Sequence, residues 1–253
     1  MRSEVRGGQV GLMLLVIIGV VVALVMSVAS RSLSDTVLSR QERESSVAFS
    51  LAETGIENAL NDLRKNEVSP GVVELSGMSG FVTGNYTVKN EASYALYVKE
   101  GETAHLDLGG FSGTLSIYWT KKGDVSENIT PAAVELNAVN TGANVVMRSY
   151  YNPYNSVPED NKFSTSSSGG SEYLSLVEYD VPVGAAYLRI RPVYAGATLM
   201  VTGSNLLTQL YLIQSSAAGG DAQKEIEVKR GLDAPPSVFD YAIFSAGAIS
   251  KVK

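Results

Sequence analysis

The chain lacks cysteine and contains a single histidine, His105. Without cysteine it can form neither a disulfide nor a thiolate metal site, which fits an exported protein built without disulfides. One imidazole excludes the zinc-hydrolase ligand sets that need two or three histidines. The net charge of −6 provides no basic surface for nucleic acid, so nucleic-acid binding is not expected.

Motifs that carry chemistry are also missing. The sequence contains no G-x-S-x-G elbow, no glycine loop with a phosphate-binding lysine, no H-E-x-x-H and no acidic calcium loop. Carboxylate pairs for glycoside cleavage stay open, because their members can lie far apart in sequence. The sequence therefore predicts no catalytic, cofactor-binding or metal-binding residue, and we expect the chain not to be an enzyme.

Proline and tyrosine are absent from the first part of the chain. All eight prolines lie at or after Pro70, and all thirteen tyrosines lie at or after Tyr86. A proline-free segment is compatible with a long helix, whereas the remainder is rich in strand formers and turn residues. This distribution predicts an α+β fold, with a long N-terminal transmembrane helix followed by an antiparallel β-sheet or β-sandwich part.

The N-terminal segment contains a long uncharged run. Its core, Val10–Ala29, reads VGLMLLVIIGVVVALVMSVA, and about 20 such residues span a bilayer as a helix. A buried core helix is disfavoured because the run is so long. A secretory signal peptide cut after Ala29 is the second choice, since the apolar region of such peptides is usually about 7–15 residues long.

Flanking charge leaves the orientation of this span open. Arg2 and Arg6 precede it, and Arg31, Arg40 and Arg43 follow it, so the positive-inside count is ambiguous. We place the N-terminus inside because the large β-rich part has the character of an exported domain. The expected location is a single pass through the inner (cytoplasmic) membrane.

The helix is expected to continue well beyond the membrane, over residues 9–68, with its apolar part at 10–29. The next polar stretch, SRQERESS at 39–46, is expected to be solvated. After it an apolar stripe follows at spacings of 4, 4, 3 and 4, which is one helical face predicted to pack on the β-rich part: Ala48, Ala52, Ile56, Ala59 and Leu63. The helix should end before Pro70.

Short alternating segments recur in the β-rich part. We expect a small β region at 69–100 that packs on the helix, a β-sandwich at 101–231, and a C-terminal tail at 232–253. Trp119 shares one strand face with two aliphatic residues and is predicted to lie in the core. The strand candidates are Thr103–Leu108, Thr114–Thr120, Ala132–Val139, Glu172–Tyr179, Ala186–Val193, Leu206–Gln214 and Glu225–Arg230.

One low-complexity loop, Tyr150–Ser171, begins with three tyrosines. Tyr150, Tyr151 and Tyr154 are candidates for surface recognition of a glycan or a protein. The alternative interpretation is a solvated loop that binds nothing. Residues Ala217–Asp221 predict a turn or short flexible loop.

The N-terminal residues resemble a known family. Arg6-Gly7-Gly8-Gln9, followed by the apolar run, resembles a type III (prepilin) signal. Residues 31–60 are similar to the N-terminal region of PilX-type minor pilins, most specifically at Ala48–Glu57, AFSLAETGIE. The stretch PPSVFDYAIFS at 235–245 is similar to one in large pilin-like envelope proteins, and the middle of the chain matches no family that we can name.

The resemblance implies a leader at residues 1–8, cleaved between Gly8 and Gln9 by a prepilin peptidase, and a mature N-terminus that is methylated. It implies assembly with other pilin-like subunits, first in the membrane and then in an extracellular surface filament. Met13 stands at the fifth mature position, where most pilins have glutamate, which favours a minor or tip-located subunit. No cofactor is implied. The helix-assembly residues would include Val10, Leu12, Met13, Leu15, Ile18, Val22 and Val25.

A second function remains open from the sequence. A membrane-anchored extracytoplasmic β-sandwich protein for binding or adhesion would share the apolar anchor and the strands. It would need neither prepilin cleavage nor the long helix beyond the membrane. The choice between a pilus and a secretion-system pseudopilus also stays open.

Overall fold

A computed structural model describes residues 7–65, 71–76, 82–141, 145–156 and 161–235. Helix α1 spans Gly7–Lys65 and is followed by strands β1 to β5, the short helix α2 and strands β6 to β13. The bounds are β1 Val72–Ser76, β2 Val82–Glu91, β3 Tyr94–Val98, β4 Ala104–Asp107, β5 Thr114–Lys121, α2 Val125–Ile129, β6 Ala133–Asn140, β7 Val145–Tyr151, β8 Ser167–Ser168, β9 Tyr173–Asp180, β10 Tyr187–Val193, β11 Ala197–Thr202, β12 Leu210–Gly219 and β13 Ala222–Gly231.

Helix α1 runs for 59 residues without interruption. Its polar residues do not break it, because several hydroxyls bond back to the preceding turn. Ser34, Thr36 and Thr54 donate to the carbonyl four residues earlier at 3.1, 2.8 and 2.9 Å. Arg64 and Lys65 lie in the last turn, where positive charge opposes the negative end of the helix dipole.

The chain forms two compact units, and the first contains Met1–Thr87 and Gln214–Ile226. Its sheet has the strand order β1-β2-β12-β13. Strands β1 and β2 form an antiparallel hairpin, with Val72 opposite Thr87. The segment 214–226, which the sequence analysis placed in the second region, therefore belongs to the unit that contains the helix.

The second half of α1 packs on this sheet through small side chains. Ala48 and Ala52 are completely buried and form a cluster with Ala217, against which Leu51 and Ile226 also pack. The predicted stripe is confirmed, since all five of its members are at most 9% exposed: Ala48, Ala52, Ile56, Ala59 and Leu63.

Polar contacts add to this attachment. The Tyr86 hydroxyl donates to the Asp62 carboxylate at 2.5 Å. Glu44 accepts from the Arg40 guanidinium at 2.7 Å and from the Asp221 amide at 3.4 Å, so the pKa of its carboxyl lies below its usual value, mainly because of the Arg40 bond. The bonds from Tyr86 and from the Asp221 amide link the helix to the sheet and to the turn between β12 and β13.

The second unit contains Val88–Ile213 and Glu227–Lys253. It has a four-stranded sheet of order β4-β10-β6-β7 and a five-stranded sheet of order β3-β11-β5-β9-β8. The strand pairs whose register is described are all antiparallel. Leu106, Leu136 and Ile190 of the first sheet and Ile117 and Leu199 of the second belong to one buried hydrophobic cluster.

Trp119 lies in this cluster, as predicted. Its side chain is completely buried, and the indole nitrogen donates to the Ala132 carbonyl at 2.8 Å. A bond from the indole matters because an unpaired buried donor would be costly. Trp119 is therefore a core residue and not a surface platform.

The short helix α2 lies between the strand candidates Thr114–Thr120 and Ala132–Val139, and no helix was predicted there. Asp124 caps it by accepting from the Ser126 amide at 2.9 Å. Glu127, 3% exposed, accepts from the Lys121 amide at 2.9 Å and from the Thr198 amide at 3.0 Å. The helix thus ties the end of β5 to the start of β11.

Other boundaries also differ from the sequence predictions. Residues 88–100, predicted to pack on the helix, belong to the second unit, where β3 pairs with β11. Strand β12 begins at Leu210 and not at Leu206, and the Gln209 side chain bonds to the backbone of Asp107 in both directions, at 3.0 and 2.7 Å. The predicted loop Ala217–Asp221 is wrong in part, because β12 continues through Gly219 and leaves a two-residue turn. Gly220 takes φ +58° in that turn, a backbone conformation that glycine adopts without strain.

Candidate functional site

The first half of α1 presents apolar side chains to its surroundings on every side. The predicted assembly residues with described side chains are between 47% and 73% exposed: Leu12, Met13, Leu15, Ile18, Val22 and Val25. Gly8, Gln9 and Val10 lie at the start of the helix, and their side chains are outside the described part. Consecutive residues of a helix point to different faces, so this unbroken run of hydrophobic residues covers all faces of the helix.

This helix is long and apolar enough to cross a membrane, judged by length and composition. No part of its most apolar stretch is buried against the rest of the chain. Such a surface is stable in hydrocarbon or against other apolar helices, and unstable in water. The first half of α1 is therefore a candidate functional site.

Exposed apolar side chains recur beyond the uncharged run, between polar and charged residues such as Arg31 and Asp35. Leu33, Val37 and Leu38 are 68%, 55% and 55% exposed. From Leu12 to Leu38 the helix rises roughly 40 Å at about 1.5 Å per residue, whereas a hydrocarbon core is about 30 Å thick. Part of this surface therefore extends past the length that one bilayer covers.

Glycines in the same half leave room for a close neighbour. A methyl group built at Gly11 or Gly19 would meet no atom within 4 Å. Small residues let the backbones of two helices approach closely in a membrane. Gly19, Ala23 and Ser27 follow one another at intervals of four and lie along one side of the helix.

The three tyrosines named as recognition candidates lie in different surroundings. Tyr150 is half-buried, and its hydroxyl donates to Glu135 at 3.1 Å. Tyr151 packs against the hydrophobic cluster of the second unit. Tyr154 is half-buried, and its amide donates to the Ser175 hydroxyl at 2.9 Å. They do not form one exposed patch.

Tyr150 instead joins two rings that the sequence analysis did not nominate. Its ring stacks on Phe163, with the centroids 4.9 Å apart, and Phe163 stacks on Tyr194 at 6.4 Å. We call Tyr150, Phe163 and Tyr194 the aromatic cluster. The three residues come from three separate segments, so no local sequence pattern links them. Tyr194 directly follows the strand candidate Ala186–Val193, and the sequence analysis named no strand where β11 forms, so no local signal pointed to it.

Charged groups beside the cluster are paired. Glu135, 1% exposed, accepts from Arg191, with Nε at 3.0 Å and a terminal guanidinium nitrogen at 2.8 Å from the same carboxylate oxygen.

In the part of the chain that the structure describes, no three histidine, aspartate or glutamate side chains are grouped so that they could hold a metal ion.

Comparison with known proteins found no match. No protein-family model matches the chain, and neither a curated protein nor a solved structure matches it at a significant level. The functional argument therefore rests on the residues and the geometry given above.

Proposed function

We propose that the chain is a structural subunit of a type IV pilus-like surface filament, in a minor or tip position, assembled through the first half of α1. The observation that carries this proposal is the set of exposed apolar side chains on α1, which covers all faces from Leu12 to Val28 and recurs at Leu33, Val37 and Leu38, past the length that a bilayer needs. A subunit that leaves the membrane and packs against other helices would bury all of it. A simple anchor would leave Leu33, Val37 and Leu38 in water.

The continuity of α1 supports the same proposal. The helix that carries the apolar surface is also the helix whose second half packs on the first unit through Ala48 and Ala52. A filament subunit needs this rigid connection, because the helix core of the filament must hold the outer part in a fixed position. A flexible tether would be sufficient for an anchored binding protein.

Met13 favours a minor position. Its side chain is 68% exposed and has no charge to pair with the N-terminal amine of a neighbour. Copies of this subunit therefore cannot add to one another through a pair between the N-terminal amine of one copy and a carboxylate at this position of the next. We infer that it starts a filament, lies at its tip or is inserted rarely.

We infer further that the second unit is a β-sandwich exposed at the surface. Two antiparallel sheets contribute to one hydrophobic cluster, which is the arrangement a sandwich requires. Exported sandwiches commonly present loops for recognition. The location would be the cytoplasmic membrane before assembly and the cell surface after it.

Mass spectrometry of the mature N-terminus tests the processing step. Cleavage should leave Gln9 as the first residue, with a methylated amine, and a Gly8→Phe variant should retain residues 1–8. A matched Gly11→Ala variant should be cleaved normally. A mature chain that begins at Met1, or one that begins after Ala29, would contradict the prepilin proposal.

Quantitative mass spectrometry of sheared surface filaments tests the assembly step. The chain should be present at a small fraction of the dominant subunit. If it is the dominant protein, the minor position is wrong and the filament proposal survives. If it stays entirely in the membrane fraction, the anchored binding protein becomes the better proposal.

A further inference from the structure

Strained backbone occurs in and beside the aromatic cluster. Among the described residues, five that are not glycine have φ between 53° and 72°, and two of them are Tyr194, in the cluster, and Lys162, which precedes Phe163 in sequence. A bulky residue at positive φ is an outlier, and such residues concentrate at functional sites. Tyr194, at φ +72°, lies in the link between β10 and β11, where asparagine or glycine would be relaxed.

Hydrogen bonds fix the segment that carries Phe163. The side-chain amides of Asn152 and Asn161 bond to each other in both directions, at 3.0 and 2.9 Å. The Asn161 oxygen also accepts from the Phe163 amide at 3.0 Å, and the Ser164 amide donates to the Tyr150 carbonyl at 3.0 Å. The rings are therefore positioned before any ligand arrives, which reduces the entropy lost on binding.

The surface chemistry around the rings is mixed. All three rings are half-buried, so part of each remains in contact with solvent. The Arg191 side chain beside them is 24% exposed, and Lys162, which precedes Phe163 in sequence, is exposed. Aromatic surface beside a polar group is one of the features that small-molecule sites combine.

We propose that the aromatic cluster binds a saccharide, with the C–H face of a pyranose ring on the aromatic surface and its hydroxyls bonded to Arg191 and the Tyr194 hydroxyl. A sugar ring suits this surface because one of its faces is apolar and its edge is polar. The site adds recognition to the proposed filament subunit and does not depend on filament assembly.

The test uses the full chain in a detergent without a sugar headgroup, screened on a glycan array and then titrated by calorimetry with chitotriose, maltotriose and trigalacturonic acid. We expect saturable binding to at least one array glycan or titrated trisaccharide. Tyr194→Asn removes the ring but keeps a residue that tolerates positive φ, so it should fold normally and bind about tenfold more weakly.

Tyr211→Ser is the control, because Tyr211 is a half-buried tyrosine on β12 outside the aromatic cluster. It should bind the same saccharide as the unaltered chain does. Absence of saturable binding to every glycan tested would overturn the proposal, as would binding that Tyr194→Asn retains in full. Either result would leave the cluster with a packing role only.

Discussion

The two halves of α1 share one continuous backbone and have opposite surfaces. In the first half large aliphatic side chains such as Leu15 are exposed on all sides, at 73% for that residue. In the second half the buried face is built mainly from alanine, with Ala48, Ala52 and Ala59 completely covered. Small residues allow the helix backbone to lie close to the sheet, and large residues provide area for contacts with lipid or with other helices.

The glycines show the same difference at the scale of single atoms. A methyl group at Gly55 would lie 2.1 Å from the Ser215 hydroxyl and 2.9 Å from a Leu75 methyl, whereas one at Gly19 would touch nothing. Gly55 is needed for close packing within this chain. Gly19 is not required for packing within the described part of the chain.

The largest expected effect comes from a charge in the first half. Ile18→Arg puts a guanidinium on a surface that must become dry in a helix bundle, at about 2.5–3.5 kcal/mol in a membrane-like interior. Incorporation into filaments should fall roughly a hundredfold by quantitative mass spectrometry. Gln41→Arg, at an exposed polar position, should leave incorporation unchanged. Equal incorporation of Ile18→Arg and Gln41→Arg into filaments would contradict the expectation that the first half of α1 packs against other helices.

The glycine pair sharpens the comparison at intermediate size. Gly55→Ala forces Ser215 or Leu75 to move, and we expect the free energy of unfolding to fall by about 1–3 kcal/mol. Gly19→Ala meets open space and improves helix propensity, so the unfolding temperature should not fall. Thermal unfolding followed by circular dichroism measures both. If Gly55→Ala were the more stable variant, helix propensity would outweigh packing there.

The smallest expected effect is the pH dependence of the contact that Tyr86 makes with the second half of α1. Burial, and then the bond to Asp62, raises the pKa of Tyr86 to about 12. Below pH 10 the Tyr86 hydroxyl is protonated in both the folded and the unfolded state, so its full contribution to the free energy of unfolding is present. As pH rises from about 10 toward 12 the unfolded state ionises first, and stability should fall by about 1 kcal/mol per pH unit.

Urea unfolding between pH 8 and pH 11 measures this slope, and Tyr86→Phe should reduce it. Tyr94 gives a matched comparison in the second unit, because burial, and then the charge of Glu102, raises its pKa to about 12 as well. Tyr94→Phe should reduce the slope by a similar amount. A slope that neither variant changes would mean that other groups dominate stability at high pH.

Local patterns were sufficient for several features. The stripe from Ala48 to Leu63 is buried as its spacing predicts, because a helix repeats every 3.6 residues wherever it is placed. Trp119 is buried because alternation along one strand fixes which residues share a face. These features depend on neighbours within a few residues, so they can be read without knowledge of the fold.

Other features depend on contacts between distant segments. Residues 214–226 belong to the unit that contains the helix because β12 pairs with β2, more than a hundred residues earlier in the chain. No local sequence pattern predicts this pairing. The helix α2 is five residues long, too short for periodicity to reveal it, and the buried Glu127 connects it to β5 and β11. Tyr150 was named among the recognition candidates, but Phe163 and Tyr194 were not.

That an uncharged apolar run of membrane-spanning length leads into a helix with one buried face follows from local residue order, since hydrophobicity and periodicity are properties of the chain alone. Which sheet covers that face, and which rings meet in the aromatic cluster, depends on the folded structure. Strand pairing and side-chain packing select partners by shape and hydrogen bonding among distant residues, and that selection is made only when the chain has folded.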